Sequence, residues 1–225
     1  MLPPAVGWKG KLFEVDGEDR MIGAAGGKFE VRVDVNEYCK LDVAGSWITL
    51  GKSVMVSPAT VKMTVAENTT GTNRMAELNI SVSSFHENRT IRIYQSAAGK
   101  VLPSAAWANR YPALVAQYGD SPLALAEVRS PGAGGKGKFH LDGTPMMVRE
   151  DYVCGTDPTN PEDRFRVEIS MENGLPKVSW YPNLNTKGET RVFRVYGTEE
   201  LGVNAKWEYP TTSRHRYFKV SVDMS

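Results

Sequence analysis

Hydrophobic and polar residues alternate with a period of two through much of the first hundred positions of the chain. Val31, Val33 and Val35 alternate with charged residues, and residues 76–82 repeat the pattern. Successive side chains of a strand point to opposite faces, so each of these segments predicts a strand with one buried and one solvent-facing side. Several such strands indicate an antiparallel sheet protein.

Seven short strands are predicted in this part of the chain, separated by turn residues. They cover residues 11–15, 28–35, 39–43, 47–50, 61–65, 74–83 and 90–95. Seven strands at this close spacing are typical of an immunoglobulin-like β-sandwich. The alternating pattern of the predicted strands gives way to helix signals near residue 100. We therefore expect this sandwich to occupy residues 1–98 and a second domain to occupy residues 99–225.

The second domain begins with helix signals. Ser104 can cap a first helix, and a hydroxyl residue followed by proline marks further helix starts at Ser121–Pro122 and Thr144–Pro145. The last pair predicts a helix from Pro145 to about Cys154, ended by Gly155. We therefore expect a helical segment over about 104–155.

Alternation with a period of two returns after about residue 163 and continues to the end of the chain. Phe165, Val167 and Ile169 begin it, a short pair at Val178 and Trp180 follows, and two further strands are predicted near 191–196 and 218–222. The predicted fold class is mainly β, with an immunoglobulin-like β-sandwich, a short helical segment and a smaller antiparallel β unit over about 163–225.

Charge and hydropathy exclude two classes of partner. The 225 residues contain 27 lysines and arginines against 26 aspartates and glutamates, whereas nucleic-acid binding needs a concentrated basic surface. No run of about eighteen apolar residues is present, so no membrane span is predicted. The first four residues lack the features of a signal peptide. The chain is therefore either cytosolic or a piece of a longer exported protein.

Four segments carry a resemblance to a known family. They are Gly26–Val31 (GGKFEV), Ser46–Leu50 (SWITL), Val65–Arg74 (VAENTTGTNR) and Ile91–Ser96 (IRIYQS). In this order they resemble the BACON family, the Bacteroidetes-associated carbohydrate-binding, often N-terminal domain, over about residues 9–98. The family usually has a second tryptophan where this chain has Cys39. The resemblance implies export, attachment to a larger surface or secreted protein, and a part in handling glycans.

Two shorter resemblances concern the C-terminal half. Residues 151–160 (DYVCGTDPTN) are similar to a segment in C-terminal regions of exported bacterial multidomain proteins, and the strands after residue 176 are similar to the latter half of a fibronectin type III domain. Together the resemblances indicate a non-catalytic accessory or spacer module in polysaccharide use or adhesion. Its expected partners are neighbouring domains and weakly bound glycans. The alternative is a fragment of a secreted enzyme, a glycoside hydrolase or peptidase, whose active site lies elsewhere or in the C-terminal unit.

No motif in the sequence predicts catalysis. The run Gly132–Phe139 (GAGGKGKF) matches a dinucleotide fingerprint and most of a P-loop, but no strand precedes it and no helix follows it, so a flexible surface loop is expected. His86 lacks the second histidine of a zinc-protease motif. A Gly-x-Ser-x-Gly elbow is absent. We therefore expect no enzymatic activity and no organic cofactor.

Calcium is the one metal that the sequence suggests. A stretch of thirteen residues contains five oxygen-bearing side chains of the kind that calcium prefers. They are Asp151, Asp157, Asn160, Glu162 and Asp163. The same residues, next to Pro158 and Pro161, are also sufficient to form turns and to cap helices, so both interpretations stay open.

Aromatic side chains near turns are the candidates for binding sugars, because a flat ring packs on the apolar face of a pyranose. Trp47, Trp107 and Trp180 lie in predicted strands or helices and are expected to be core. The remaining candidates are Trp8, Phe85, Trp207 and Tyr209. The two cysteines, Cys39 and Cys154, lie on either side of the domain boundary and are expected to be unpaired, mostly buried thiols.

Overall fold

The computed structural model describes residues 11–183, 191–209, 211 and 215–224. Two compact units are present, of which the first ends at Leu102 and the second begins at Pro103. The chain is mainly β, as the sequence predicts.

The first unit is a sandwich of two sheets. The strands are β1 (Phe13–Asp16), β2 (Arg20–Ile22), β3 (Gly27–Val35), β4 (Cys39–Val43), β5 (Ile48–Leu50), β6 (Val54–Met55), β7 (Ala59–Val65), β8 (Arg74–Val82) and β9 (Glu87–Gln95). One sheet has the order β1-β3-β7-β5 and the other has the order β2-β9-β8-β4-β6. The predicted antiparallel sandwich is confirmed, and both sheets contribute residues to a single core.

The core consists of the alternating residues that predict the strands. Val31, Val33 and Val35 of β3 face Leu78 and Ile80 of β8, and all five side chains are buried. Two strands, β2 and β6, are additional to the seven predicted. They are three and two residues long, too short to show a period, and β2 pairs with β9 in parallel, so no hairpin signal marks it.

Short helices open the second unit. They are α1 (Ala105–Ala108), α2 (Pro112–Tyr118), α3 (Pro122–Ala126) and α4 (Val148–Cys154). Ser104 caps α1 as predicted, because its Oγ accepts a hydrogen bond of 3.1 Å from the backbone N–H of Trp107. The Trp107 side chain is buried and its ring packs edge-on against Tyr152 of α4, with 5.2 Å between the ring centroids.

The predicted start of α4 is wrong. The helix begins at Val148 and not at Pro145, because Pro145 forms a β-bridge with Phe139 and the next N–H, that of Met146, donates to the Lys138 carbonyl. The residues before α4 are therefore the second arm of a hairpin that turns at Asp142–Gly143. Glu150 supplies the cap by accepting a hydrogen bond of 2.7 Å from the Met147 N–H.

The C-terminal end of α4 follows the prediction and adds a contact. Gly155 ends the helix in a left-handed conformation with φ of 76°. The side chain of Arg191 is buried, and its guanidinium donates to the carbonyls of Tyr152 (2.6 Å) and Val153 (2.9 Å). These carbonyls belong to the last turn of α4, where the helix itself offers no partner.

Four strands follow as two antiparallel hairpins, β10 (Arg166–Glu172) with β11 (Leu175–Tyr181), and β12 (Arg191–Thr198) with β13 (Tyr217–Met224). Trp180 stacks on Phe193 at 5.3 Å, which joins the hairpins. The alternation in β10 does not produce a buried face, since Ile169 and Met171 are 55% and 69% exposed. A two-stranded sheet is too small to bury a face on its own.

Candidate functional site

The segments that carry the family resemblance meet at one end of the sandwich. Asn68 lies at their centre with its side chain buried. Its Nδ2 donates to the carbonyls of Thr72 (2.8 Å) and Ser96 (3.1 Å), and its Oδ1 accepts from the backbone N–H and the hydroxyl of Thr70. The asparagine therefore fixes the 68–72 loop against the end of β9.

Arg74 completes this network. Its guanidinium lies 4.3 Å from the centroid of the Trp47 ring, and its Nε donates to the side-chain oxygen of Gln95 at 2.8 Å. Gln95 is buried and donates in turn to the carbonyl of Ala66. The residues by which the sequence resembles the family thus contact one another, and their hydrogen bonds stabilise the fold. Trp47 is half-buried beneath the arginine.

The aromatic residues that are candidates for sugar binding do not form one cluster, because the described ones lie in two different units. Trp8 lies outside the described residues. Phe85 belongs to the first unit, where it is partly buried against the sandwich core and has the Lys11 ammonium 5.0 Å from its ring centroid. Trp207 and Tyr209 belong to the second unit, in the segment that precedes β13.

The structure brings Trp207 and Tyr209 together with a third aromatic residue, Tyr196 of β12. The Tyr196 and Tyr209 rings are 5.6 Å apart, and the Lys219 ammonium lies 5.4 Å from the Tyr196 centroid and 4.6 Å from the Trp207 centroid. Tyr209 is 60% exposed. We call Tyr196, Trp207, Tyr209 and Lys219 the aromatic face. Tyr196 is additional to the predicted residues, and only the register that pairs it with Lys219 reveals it.

Asp151, a candidate calcium ligand, takes part in a buried ion pair. The side chains of Asp151 and Lys138 have no exposed surface, and the Lys138 Nζ lies 2.5 Å from the Asp151 Oδ1. The hydroxyls of Ser130 and Thr156 also donate to this carboxylate. Burial raises the pKa of Asp151, and the Lys138 ammonium opposes that rise.

Lys138 also anchors the segment that contains the other calcium candidates. Its Nζ donates to the carbonyls of Asp157 (2.9 Å) and Asp163. The expectation of a surface loop is therefore wrong for Lys138, although residues 133–136 of the glycine-rich run are exposed. Lysine is almost never fully buried without a partner, and nothing in the local sequence indicates which carboxylate would pair with it.

The remaining candidates form local turns. The Asp157 carboxylate accepts from the backbone N–H and the hydroxyl of Thr159, the Asp163 carboxylate accepts from the Asp157 N–H, and the Asn160 Oδ1 accepts from the Glu162 N–H. No group of three or more histidine, cysteine, aspartate or glutamate side chains is placed to hold a metal within the described ranges. The calcium site stays a prediction.

Both cysteines are free, as predicted. Cys39 is fully buried in the sandwich, where burial raises its pKa. Cys154 is partly exposed, and burial together with the nearby carboxylates of Asp151 and Glu150 raises its pKa to about 11. Neither thiol has the lowered pKa that marks a nucleophile.

The first unit is a β-sandwich domain of two sheets around one core. One family model matches part of it. Residues 32–96 match the BACON family, which is described as "Putative binding domain, N-terminal". The BACON domain predicted from the four segments is thereby confirmed. Among the helices of the described residues, none is long and apolar enough to cross a membrane.

Solved structures similar to this chain include two from Bacteroides species. One is a Bacteroides ovatus GH5 xyloglucanase in complex with a XXXG heptasaccharide, with 19% identity over 60% of this chain and 30% of that chain and a TM-score of 0.36. The other is a protein from Bacteroides thetaiotaomicron solved by NMR, with 13% identity over 44% of this chain and 98% of that chain and a TM-score of 0.29. No curated protein matches the chain.

Proposed function

We propose that this chain is a non-catalytic accessory module of an exported bacterial surface or secreted protein, with a part in polysaccharide use or adhesion. The observation that carries the proposal is the match of residues 32–96 to a family described as a binding domain. Its partners are neighbouring domains of a larger protein and weakly bound glycans.

The network around Asn68 supports a scaffold role for the first unit. Asn68, Arg74 and Gln95 direct their polar groups to backbone carbonyls and to one another. Side chains that are already engaged in this way stabilise a loop and are not available to a ligand. A rigid sandwich of this kind suits a spacer that holds neighbouring domains apart.

The aromatic face supports weak contact with glycans by the second unit. Tyr209 is exposed and can pack on a pyranose ring. Lys219, however, lies over the rings of Tyr196 and Trp207, so a sugar has to displace a favourable cation–π contact to reach those ring faces. We therefore expect dissociation constants for neutral glycans no tighter than about 1 mM.

Calorimetric titration of the chain with neutral plant, host and microbial polysaccharides tests this proposal. Tyr209→Ala, which removes the exposed ring, should abolish whatever weak binding the wild-type chain shows. Tyr38→Ala is a matched control, because Tyr38 is an aromatic residue of the first unit that is 56% exposed. Release of reducing sugars from any of these polysaccharides would support the secreted-enzyme alternative. Micromolar binding would contradict the spacer role.

A further inference from the structure

A cleft of about 680 Å³ opens in the second unit between the 139–145 hairpin, α4 and the segment before β10. Phe139, Met146 and Phe165 form its apolar walls. The Phe165 ring is held in place because it stacks on Phe193 at 6.3 Å with an angle of only 6° between the ring planes. The volume lies in the range of small-ligand pockets.

The two carboxylates that line the cleft are already engaged. Asp142 accepts hydrogen bonds from the backbone N–H (2.9 Å) and the hydroxyl (2.7 Å) of Thr144, and these bonds lower its pKa. Glu150 accepts from the Met147 N–H and pairs with the Nε2 of His140 at 3.2 Å. Both carboxylates therefore already accept hydrogen bonds from neighbouring residues.

Arg164 is a cationic residue of the cleft with unused hydrogen-bond donors. Its Nε donates to the Pro161 carbonyl at 2.8 Å, which fixes the guanidinium. Its two terminal nitrogens make no hydrogen bond or ion pair with the other described residues. A fixed guanidinium with two free N–H₂ groups matches a carboxylate in a bidentate pair.

We propose that this cleft binds a hexuronic acid unit of an acidic polysaccharide, with its carboxylate on Arg164 and its apolar ring face on Phe139 and Phe165. The hydroxyls of the sugar meet the His140–Glu150 pair. A simple aromatic acid would satisfy Arg164 and the apolar walls but would leave this polar pair without a ligand partner, so the sugar acid fits better. The inference rests on the proposed role with glycans but names a site separate from the aromatic face.

The test is a calorimetric titration of the full chain with trigalacturonate, with galactotriose as its neutral counterpart and benzoate as an acid without hydroxyls. Trigalacturonate should bind, and galactotriose and benzoate should each bind at least about tenfold more weakly. Arg164→Gln should weaken trigalacturonate binding at least about tenfold, and Arg164→Lys should weaken it several-fold because lysine keeps the charge without the fork. Arg166→Gln is the matched control, because it removes the same charge from an exposed neighbour outside the cleft.

Cys154 supplies a second measurement, because this residue lines the same cleft. Bound trigalacturonate should slow its alkylation by iodoacetamide in the wild-type chain but not in Arg164→Gln. Trp207→Ala should leave trigalacturonate binding unchanged, which separates this site from the aromatic face. The proposal is overturned if trigalacturonate shows no saturable binding or if Arg164→Gln leaves its binding intact. It is also overturned if benzoate or galactotriose binds with the same affinity as trigalacturonate.

Discussion

Replacing Lys138 by methionine is the most informative single change in the second unit. Methionine keeps an unbranched apolar side chain in the buried space but removes the ammonium, which donates to the Asp151 carboxylate and to the carbonyls of Asp157 and Asp163. Asp151 would remain fully buried with only the hydroxyls of Ser130 and Thr156 as partners.

The expected cost follows from the burial of both partners. Removing one member of a buried ion pair leaves an uncompensated charge and typically costs about 3–5 kcal/mol. A domain of this size has a stability of only about 5–15 kcal/mol, so the variant loses a large fraction of it. The exposed pair of Lys177 and Glu172, with both side chains 59% exposed, provides the matched control. Lys177→Met should cost less than about 1 kcal/mol.

Urea denaturation followed by tryptophan fluorescence measures these costs, and amide hydrogen exchange in α4 locates them. The double variant Lys138→Met with Asp151→Asn should recover about 1–3 kcal/mol relative to the sum of the single changes, because it no longer buries a lone charge. A cost below about 1 kcal/mol for Lys138→Met, or strict additivity in the double variant, would refute the reasoning.

Asn68→Ala should destabilise the first unit by about 2 kcal/mol, since it removes the hydrogen bonds of a buried side chain to the carbonyls of Thr72 and Ser96. Asn79→Ala on the exposed strand surface should cost less than about 0.5 kcal/mol in the same thermal or urea unfolding experiment. Cys154, with a pKa of about 11 against an ordinary value of 9.0, should react with iodoacetamide at pH 8 about a hundredfold more slowly than an ordinary thiol, and its rate should rise about tenfold per pH unit up to about pH 11. Millimolar calcium should leave the melting temperature unchanged because the Asp157 and Asp163 carboxylates already accept local hydrogen bonds, and a rise with calcium that magnesium does not reproduce would demonstrate a site.

The sequence predicts the sandwich well because seven of its nine strands show a local pattern. Val31, Val33 and Val35 show the period of two, and they are the residues that the core buries. The start of α4 could not be predicted in the same way. The Thr144–Pro145 pair is a correct signal for a helix start, but hydrogen bonding between Met146 and Lys138 outweighs it in the folded chain. Local propensity is a weak guide where tertiary contacts compete.

The candidate sites depend on pairings that are distant in sequence. Trp207 and Tyr209 can be recognised in the sequence as aromatic residues outside the predicted strands and helices. Tyr196 and Lys219 join them only through the register of β12 and β13. Similarly, no local feature shows that Lys138 would be buried against a carboxylate thirteen residues away. Side-chain partners across a fold are set by three-dimensional packing, which a pattern of hydrophobic and polar residues does not specify.

The contact of Arg191 with the end of α4 has a consequence for dissecting the second unit into fragments. The guanidinium comes from the first residue of β12, and it caps carbonyls of Tyr152 and Val153 that lie almost forty positions earlier in the chain. A fragment that stops before Arg191 would lose this cap along with the last hairpin. The helical segment therefore cannot be expected to hold its native form without the strands that follow, and opening of one should accompany opening of the other.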